Sequence, residues 1–401
     1  MKLLPFEYAV RNLGRAPSRL FLSVAGSTLV VMLVLIAGGF VRGMSQALAT
    51  TGGENNVILL GAGSEDSVER SEIEAATPGV LAASVAGVRT RAGIPYVSAE
   101  VHVMLPVGVP AASPDDEAAM GRQIMVRGVL PEAALVHERV TITQGRWPRG
   151  GEDEIMIGRM APTVLGITEA QAAIGSKLLI DKRPWTIVGQ FTSPGTVLEA
   201  ELWLPLADLK TATKRETISC VVMTLDPFDA ETGEGAEFSD VAAFAKSRPD
   251  LELVAMTERE YFSKLASFFG PIRIVAWVTA GLIAIGGLFG GLNTMYAAFA
   301  SRIREIGTLQ SLGYRRTAIL ISMVQEATLA TAAGALVACG IGAVLLDGVA
   351  VRFSMGAFGL ALDHEVITMG LCCGLLLGII GALPPAIRCL RPTIPLALKA
   401  V

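Results

Sequence analysis

Glu326 stands inside an apolar run, eight residues past Ala318, and its charge is the most costly in this sequence to place. At ~1.5 Å per helical residue it lies ~12 Å into a membrane-spanning helix, too deep for easy access to water. With Gln325 and Asn293 it makes up the intramembrane polar set. Two roles suit it: a structural one, hydrogen-bonded to Asn293, Thr294 or Ser322 within a helix bundle, or a proton relay. Other chemistry-bearing groups are less pointed. Glu152, Asp153 and Glu154 follow Arg149, Gly150 and Gly151, a pattern that suits a solvated turn better than a carboxylate site. His102, His137 and His364 are scattered without metal-ligand spacing, so structural or solvated histidines are expected and no metal. No G-x-x-x-x-G-K-[ST] phosphate loop, G-x-S-x-G elbow or H-E-x-x-H pair occurs. The sequence therefore offers no catalytic residues and no route to ATP through a phosphate loop, and nothing in it points to nucleic acid.

A second group with chemical potential is the polar island Ser301 to Thr317, between two long apolar runs. Ile303, Ile306, Leu309 and Leu312 recur every three residues among Arg302, Arg304, Glu305, Arg315 and Arg316. That spacing predicts a helix with one apolar stripe and charges elsewhere. Such a helix either lies on the lipid surface or docks on something in the cytosol.

The elements that position these groups follow from hydropathy and charge. The 401 residues are 52% hydrophobic and 17% charged, with a mean hydropathy of +0.53, too oily for a wholly soluble protein. Residues 1–19, 301–317 and 386–401 hold 11 Lys and Arg against 2 acids, whereas 42–271 holds 20 against 31. The short basic segments are expected in the cytoplasm, and the large domain on the other side. The expected order is an amphipathic cytoplasmic helix at 1–19 touching membrane lipid, spans at 20–41, 272–300, 318–346 and 366–383, a cytoplasmic helix at 301–317, a short outer loop at 347–365 and a cytoplasmic tail at 384–401. Pro384 and Pro385 are expected to close the fourth span. Residues 20–41 also resemble a signal peptide before Ala47-Leu48-Ala49, but the run is longer than a signal core and Arg42 intervenes, so an uncleaved span is expected.

Residues 42–271 change texture to short apolar segments broken by Gly, Pro and acids. VHVMLPV, QIMVRGV, DEIMIG, SKLLI, WTIVGQF, ELWLPL and CVVMTL read as strands, with a four-residue hairpin connection at DKRP. Ser67–Thr77, Ser239–Ser247 and Glu258–Phe269 read as helices, which makes an α+β domain. Cys220 is the lone cysteine of this domain, so no internal disulfide is expected. Gly286, Gly287, Gly290 and Gly291 in the second span, and Gly370, Gly374 and Gly378 in the fourth, form ladders for close helix packing.

Arg302, Glu305, Ile306, Gly307, Leu309, Leu312, Gly313, Tyr314 and Ile319, followed by Gln325, Glu326 and Ala327, give the pattern R-x-x-E-I-G-x-L-x-x-L-G-Y-x-x-x-x-I and then Q-E-A. It resembles the MacB/FtsX-type (type VII) ABC transporter permeases, the superfamily that includes the lipoprotein-releasing permeases. Ala9, Arg11, Asn12, Leu13 and Arg15 are similar to the family's opening, and Arg388, Arg391, Pro392, Pro395, Ala397 and Leu398 to its ending. VRGV near Arg127, QGRWP near Trp147 and IGSKLLI with WTIVGQF resemble the family's porter-like outer core, and an inserted subdomain is expected at about 206–249, which contains the acidic loop DAETGEGAEFSD.

The resemblance implies an integral membrane protein of the bacterial inner membrane, with four transmembrane helices and a large extracytoplasmic α+β domain between helices 1 and 2. It implies a second permease subunit, as homodimer or heterodimer, and a separate cytoplasmic ABC ATPase that binds the ATP, docked on Arg302, Arg304, Glu305, Ile306, Gly307, Leu309, Leu312, Gly313 and Tyr314. ATP-driven motion would pass through the spans to the outer domain, which would release or export a lipoprotein, lipid, peptide or drug, with a periplasmic adaptor or substrate protein as further partner. The alternative is a regulator of a cell-wall hydrolase or signalling partner. A secondary transporter using Glu326 fits poorly, since four spans show no internal inverted repeat.

Overall fold

The computed structural model describes residues 6–110, 121–229, 235–353 and 356–399. Lys2, Leu3 and Leu4 of the expected amphipathic helix, residues 230–234 of the acidic loop and the last two residues of the tail lie outside them. The chain divides into two units: Met1–Gly43 with Pro271–Val349 and Leu360–Val401, and Met44–Gly270 with Ala350–Gly359.

The first unit is helical. It contains α1 (Phe6–Arg15), α2 (Pro17–Thr51, whose last residues belong to the second unit), α3 (Gly270–Ala300), α4 (Ile303–Ser311), α5 (Arg316–Leu345), α6 (His364–Cys389) and α7 (Ile394–Leu398). Four of these, α2, α3, α5 and α6, are long and apolar enough to cross a membrane. Two boundaries differ from expectation. Helix α2 continues ten residues past Val41, because MSQALATT keeps forming good helical turns beyond Arg42. Helix α6 runs through Pro384 and Pro385 to Cys389. The two missing N–H groups are tolerated because Ala382, Ala386 and Cys389 are buried in one apolar cluster with Phe299, Ile319 and Met323.

Helices α5 and α6 approach closely because glycine lets them. A Cβ on Gly374 would sit 2.5 Å from the Ala335 Cβ, one on Gly378 would strike Thr331 and the Thr328 backbone, and one on Gly370 would sit 2.7 Å from Leu35 of α2. The ladder on α3 is different. Gly287 abuts Val30, but Gly286, Gly290 and Gly291 have open space where a Cβ would go.

The second unit is built on a ten-stranded sheet. Its strands are β1 (Asn56–Gly61), β2 (Val97–Gly108), β3 (Arg122–Val129), β4 (Thr141–Gly145), β5 (Glu154–Gly158), β6 (Lys177–Ile180), β7 (Arg183–Thr192), β8 (Leu202–Pro205), β9 (Cys220–Thr224) and β10 (Leu253–Thr257). The order is β10-β1-β9-β2-β3-β8-β5-β7-β4, with β6 pairing β2 and β7. Pairing is antiparallel except β3 with β8 and β5 with β7. The long β2 joins the two halves: residues 97–100 pair with β9 and 101–107 with β3. Val57, Leu59, Val101, Ile124, Leu202 and Val221 belong to one buried core.

Several local expectations are corrected here. The β6–β7 hairpin turns in two residues, Asp181 and Lys182, both at positive φ, so Arg183 and Pro184 already belong to β7. Ser67–Thr77 is not helical. Ser71 Oγ accepts from the Gly61 N–H at 2.8 Å and Ile73 bridges to Ile218, so tertiary bonds take the backbone groups a helix would need, and the helix comes later, at Thr77–Ser84. The described residues of 206–249 fall within the second unit and supply β9 between β1 and β2. The loop at 347–365 is also more than a loop: β11 (Ala350–Phe353) and β12 (Gly356–Gly359) form a hairpin that belongs to the second unit, with Ala357 in its core.

Candidate functional site

In the first unit the helix α4 is fixed from below. Ile306 is buried, Gly307 lies so close to α7 that a Cβ would sit 2.9 Å from the Ala397 Cβ, and Leu309 and Tyr314 pack partly buried on the cluster around Phe299 and Met323. The apolar stripe is thus divided, because most of it is used by the chain's own core. Leu312 alone of the four is left outward, 70% exposed, beside exposed Arg304, Ser311, Gly313, Arg315 and Arg316.

Glu326 is buried on α5, and its partners are not those expected. Asn293 is exposed, Gln325 is half-buried, and the Thr294 hydroxyl donates to carbonyls of its own helix. Two arginines reach the carboxylate instead: Arg19 Nη2 donates to Oε1 at 2.7 Å and Arg302 Nη1 to Oε2 at 2.8 Å. A carboxylate out of water gains far more from cations than from neutral donors, so long basic side chains win the contact. Arg302 also pairs with Glu305 of α4 at 2.9 Å. One guanidinium thus ties the start of α4 to α5, and through Glu326 to the start of α2.

The second unit holds a network that sequence reasoning did not foresee. Glu100 of β2 is fully buried and accepts four bonds: from Ser98 at 2.7 Å, Arg127 at 2.6 Å, His137 at 2.7 Å and His102 at 2.9 Å. Arg127 of β3 clasps Glu201 through Nε and Nη2, both at 2.7 Å, and stacks over Trp203, whose indole N–H also donates to Glu201. The nearby Cys220 of β9 lies 3.7 Å from His102. Glu100, His102 and Cys220 bring three ligand types together, but both Glu100 oxygens are already taken, Oε2 by Arg127 and His102 and Oε1 by Ser98 and His137.

Two family models match this chain: the MacB-like periplasmic core domain over residues 20–236 and the FtsX-like permease C-terminal domain over 277–393. The chain belongs to the MacB/FtsX family of ABC transporter permeases. The permease is 24% identical over 254 residues to the ABC transporter permease YknZ of Bacillus subtilis (strain 168), a match covering 61% of each chain. It is 24% identical over 227 residues to the macrolide export ATP-binding/permease protein MacB of Hahella chejuensis, covering 53% of this chain and 33% of that protein. The match thus spans between a third and about three fifths of these relatives' own length. Among solved structures, the periplasmic region of MacB from Actinobacillus actinomycetemcomitans aligns with a TM-score of 0.38 and 12% identity, over 52% of this chain and 91% of that one. The YknZ extracellular domain aligns with 0.36 and 15%, over 50% and 100%.

In this MacB/FtsX permease burial and neighbouring charge shift the titration of several groups of the network. Burial works against the Glu100 charge, but His137, Arg127 and the bonds from both histidines outweigh it and hold the carboxyl well below the usual range. Burial, joined by the Arg127 charge, lowers His102 and favours its neutral form. His137 is raised, because the Glu100 charge and hydrogen bond overcome its burial. Burial and the Glu100 charge push the Cys220 thiol well up, so it stays protonated. The signal that could have revealed the network was the alternation Ser98, Glu100, His102 between Val97, Ala99, Val101 and Val103, a polar face of period two inside a strand.

Proposed function

We propose that the protein is a permease subunit that passes ATP-driven motion from a separate cytoplasmic ATPase to its sheet unit, for export or release of a substrate. The observation that carries this reading is the tie between α4 and the two long helices through Arg302, Glu326 and Arg19. A helix that docks a motor must be held rigidly from one side and open on the other, and α4 has both properties. We place the protein in the bacterial inner membrane with the sheet unit outside and the short basic segments in the cytoplasm. The family relation supports a dimer, and the open glycine face of α3 at Gly286 and Gly290 suits contact with the second subunit.

Leu312, which caps the C-terminus of α4, is the apolar residue left for the ATPase. Its burial there contributes roughly 1.5 to 3 kcal/mol, about tenfold or more in affinity, and Leu312→Glu adds a desolvation penalty. In detergent, Leu312→Glu is expected to reduce recovery of the copurified ATPase at least tenfold, with the permease itself still folded. Undiminished recovery would remove α4 from the coupling role.

A further inference from the structure

The sheet unit encloses a cavity of about 130 Å³ whose walls are mostly apolar, with Met44, Leu48, Ile58, Met125, Phe262 and Leu265 among them. That is close to the roughly 150 Å³ of an apolar cavity that stays dry and takes up benzene. Facing it from the charge network are His102, Arg127, Glu201 and Glu258.

Glu258 stands beside this network without an ion pair of its own. Three buried carboxylates, Glu100, Glu201 and Glu258, stand against Arg127 and His137. His102 is engaged by Glu100 at 2.9 Å and makes no bond to Glu258. Arg215, whose charge also reaches Cys220, donates to the backbone carbonyls of Glu69 and Ser71 and not to the network. Arg127 is taken by Glu201 and Glu100, and His137 by Glu100. Glu258, 3% exposed, is left with neutral donors: the Gly53 N–H and the Asn56 amide, each at 2.8 Å and both on Oε2. Among the described residues no cation lies within ion-pair distance of it. A carboxylate buried without an ion pair is costly; His137 acts on Glu258 only at longer range, and Glu258 also lines a space with room for a cation.

We propose that this cavity binds a small hydrophobic amine, its ring-sized apolar body against the Met, Leu and Phe walls and its ammonium against Glu258. An anion would be repelled by the same carboxylates. A neutral body would fill the space without balancing the charge. The site stands by itself whether or not the permease moves what it binds, because binding is measured on the purified chain without any ATPase.

The test is calorimetric titration of the full chain in detergent with benzylammonium and with its neutral counterpart benzyl alcohol. Wild type is expected to bind benzylammonium at least tenfold more tightly. Glu258→Gln, which still accepts from Asn56 and Gly53, should erase that preference and keep the weaker binding of the alcohol. Leu265→Trp, at a half-buried wall position where a larger side chain is tolerated, should lose both ligands. Equal affinity of wild type for the two ligands, no binding of benzylammonium, or unchanged binding by Leu265→Trp would each overturn the proposal.

Discussion

Glu100 and Glu326 are both carboxylates removed from water, and both are met by arginine, yet they are built to different ends. Around Glu100 everything is closed. Arg127 is 5% exposed, its fork is filled by Glu201 and Glu100, and Ser98 and two histidines complete the shell. Around Glu326 the arginines are 27% and 19% exposed, and one of them is shared with Glu305, itself half in water. A closed network fixes one arrangement, because any movement strands a buried charge. An open one can exchange partners, because water reaches its arginines and Glu305 already shares Arg302. The first suits a rigid sheet and the second a joint that moves.

The largest expected effect tests the closed side. Arg127→Met leaves Glu100 and Glu201 without their shared cation and should cost about 3 to 5 kcal/mol of sheet-unit stability, as measured by denaturant unfolding. A loss under about 1 kcal/mol would mean that the network relaxes as freely as the one at Glu326, and the comparison would fail.

A smaller effect is expected on the open side. A double-mutant cycle of Arg302→Gln with Glu326→Gln should give a coupling of about 0.5 to 3 kcal/mol, whereas Arg302→Gln with Glu305→Gln should give about 0 to 1 kcal/mol because that pair is exposed. If Glu305 coupled as strongly as Glu326, Arg302 would be a fixed strut with no alternative partner.

The smallest effect is a pH dependence. The raised folded pKa of His137 adds stability that is fully present below the unfolded value near 6.5 and is lost as pH rises through the folded value. The lowered pKa of His102 acts the other way, its contribution present above about 6.5 and lost as pH falls. His137→Gln removes the first term, while its effect on Glu100, whose carboxyl is held well below the usual range, falls at more acidic pH. The difference in melting temperature between wild type and this variant should therefore narrow as pH is raised above about 6.5. A gap that stays constant would show that His137 carries no charge in the folded state.

Much of the helical unit was legible because a span announces itself by length and lack of charge, and those signals do not depend on tertiary contacts. Strands such as VHVMLPV and CVVMTL were legible by their alternation or β-branched content. NVILLG was not read as a strand: all six residues of β1 are buried, so no alternation marks it. The partners of Glu326 were missed for another reason. Arg19 lies 307 positions away and Arg302 24, and a search confined to neutral groups near the same depth passes over long side chains that reach inward. The split of the α4 stripe was equally hidden, since periodicity shows which residues share a face and not what covers it.

The hairpin β11–β12 has a consequence for biosynthesis. The sheet unit draws its last strands from residues 350–359, after α3, α4 and α5 have been made. Roughly 80 residues separate that hairpin from Gly270, which at about 5 to 20 residues per second is a delay of roughly 4 to 16 s. Until the hairpin is made, the core of the sheet unit lacks the contact that Ala357 supplies. A nascent chain halted within α5 would thus carry a sheet unit that still lacks its hairpin.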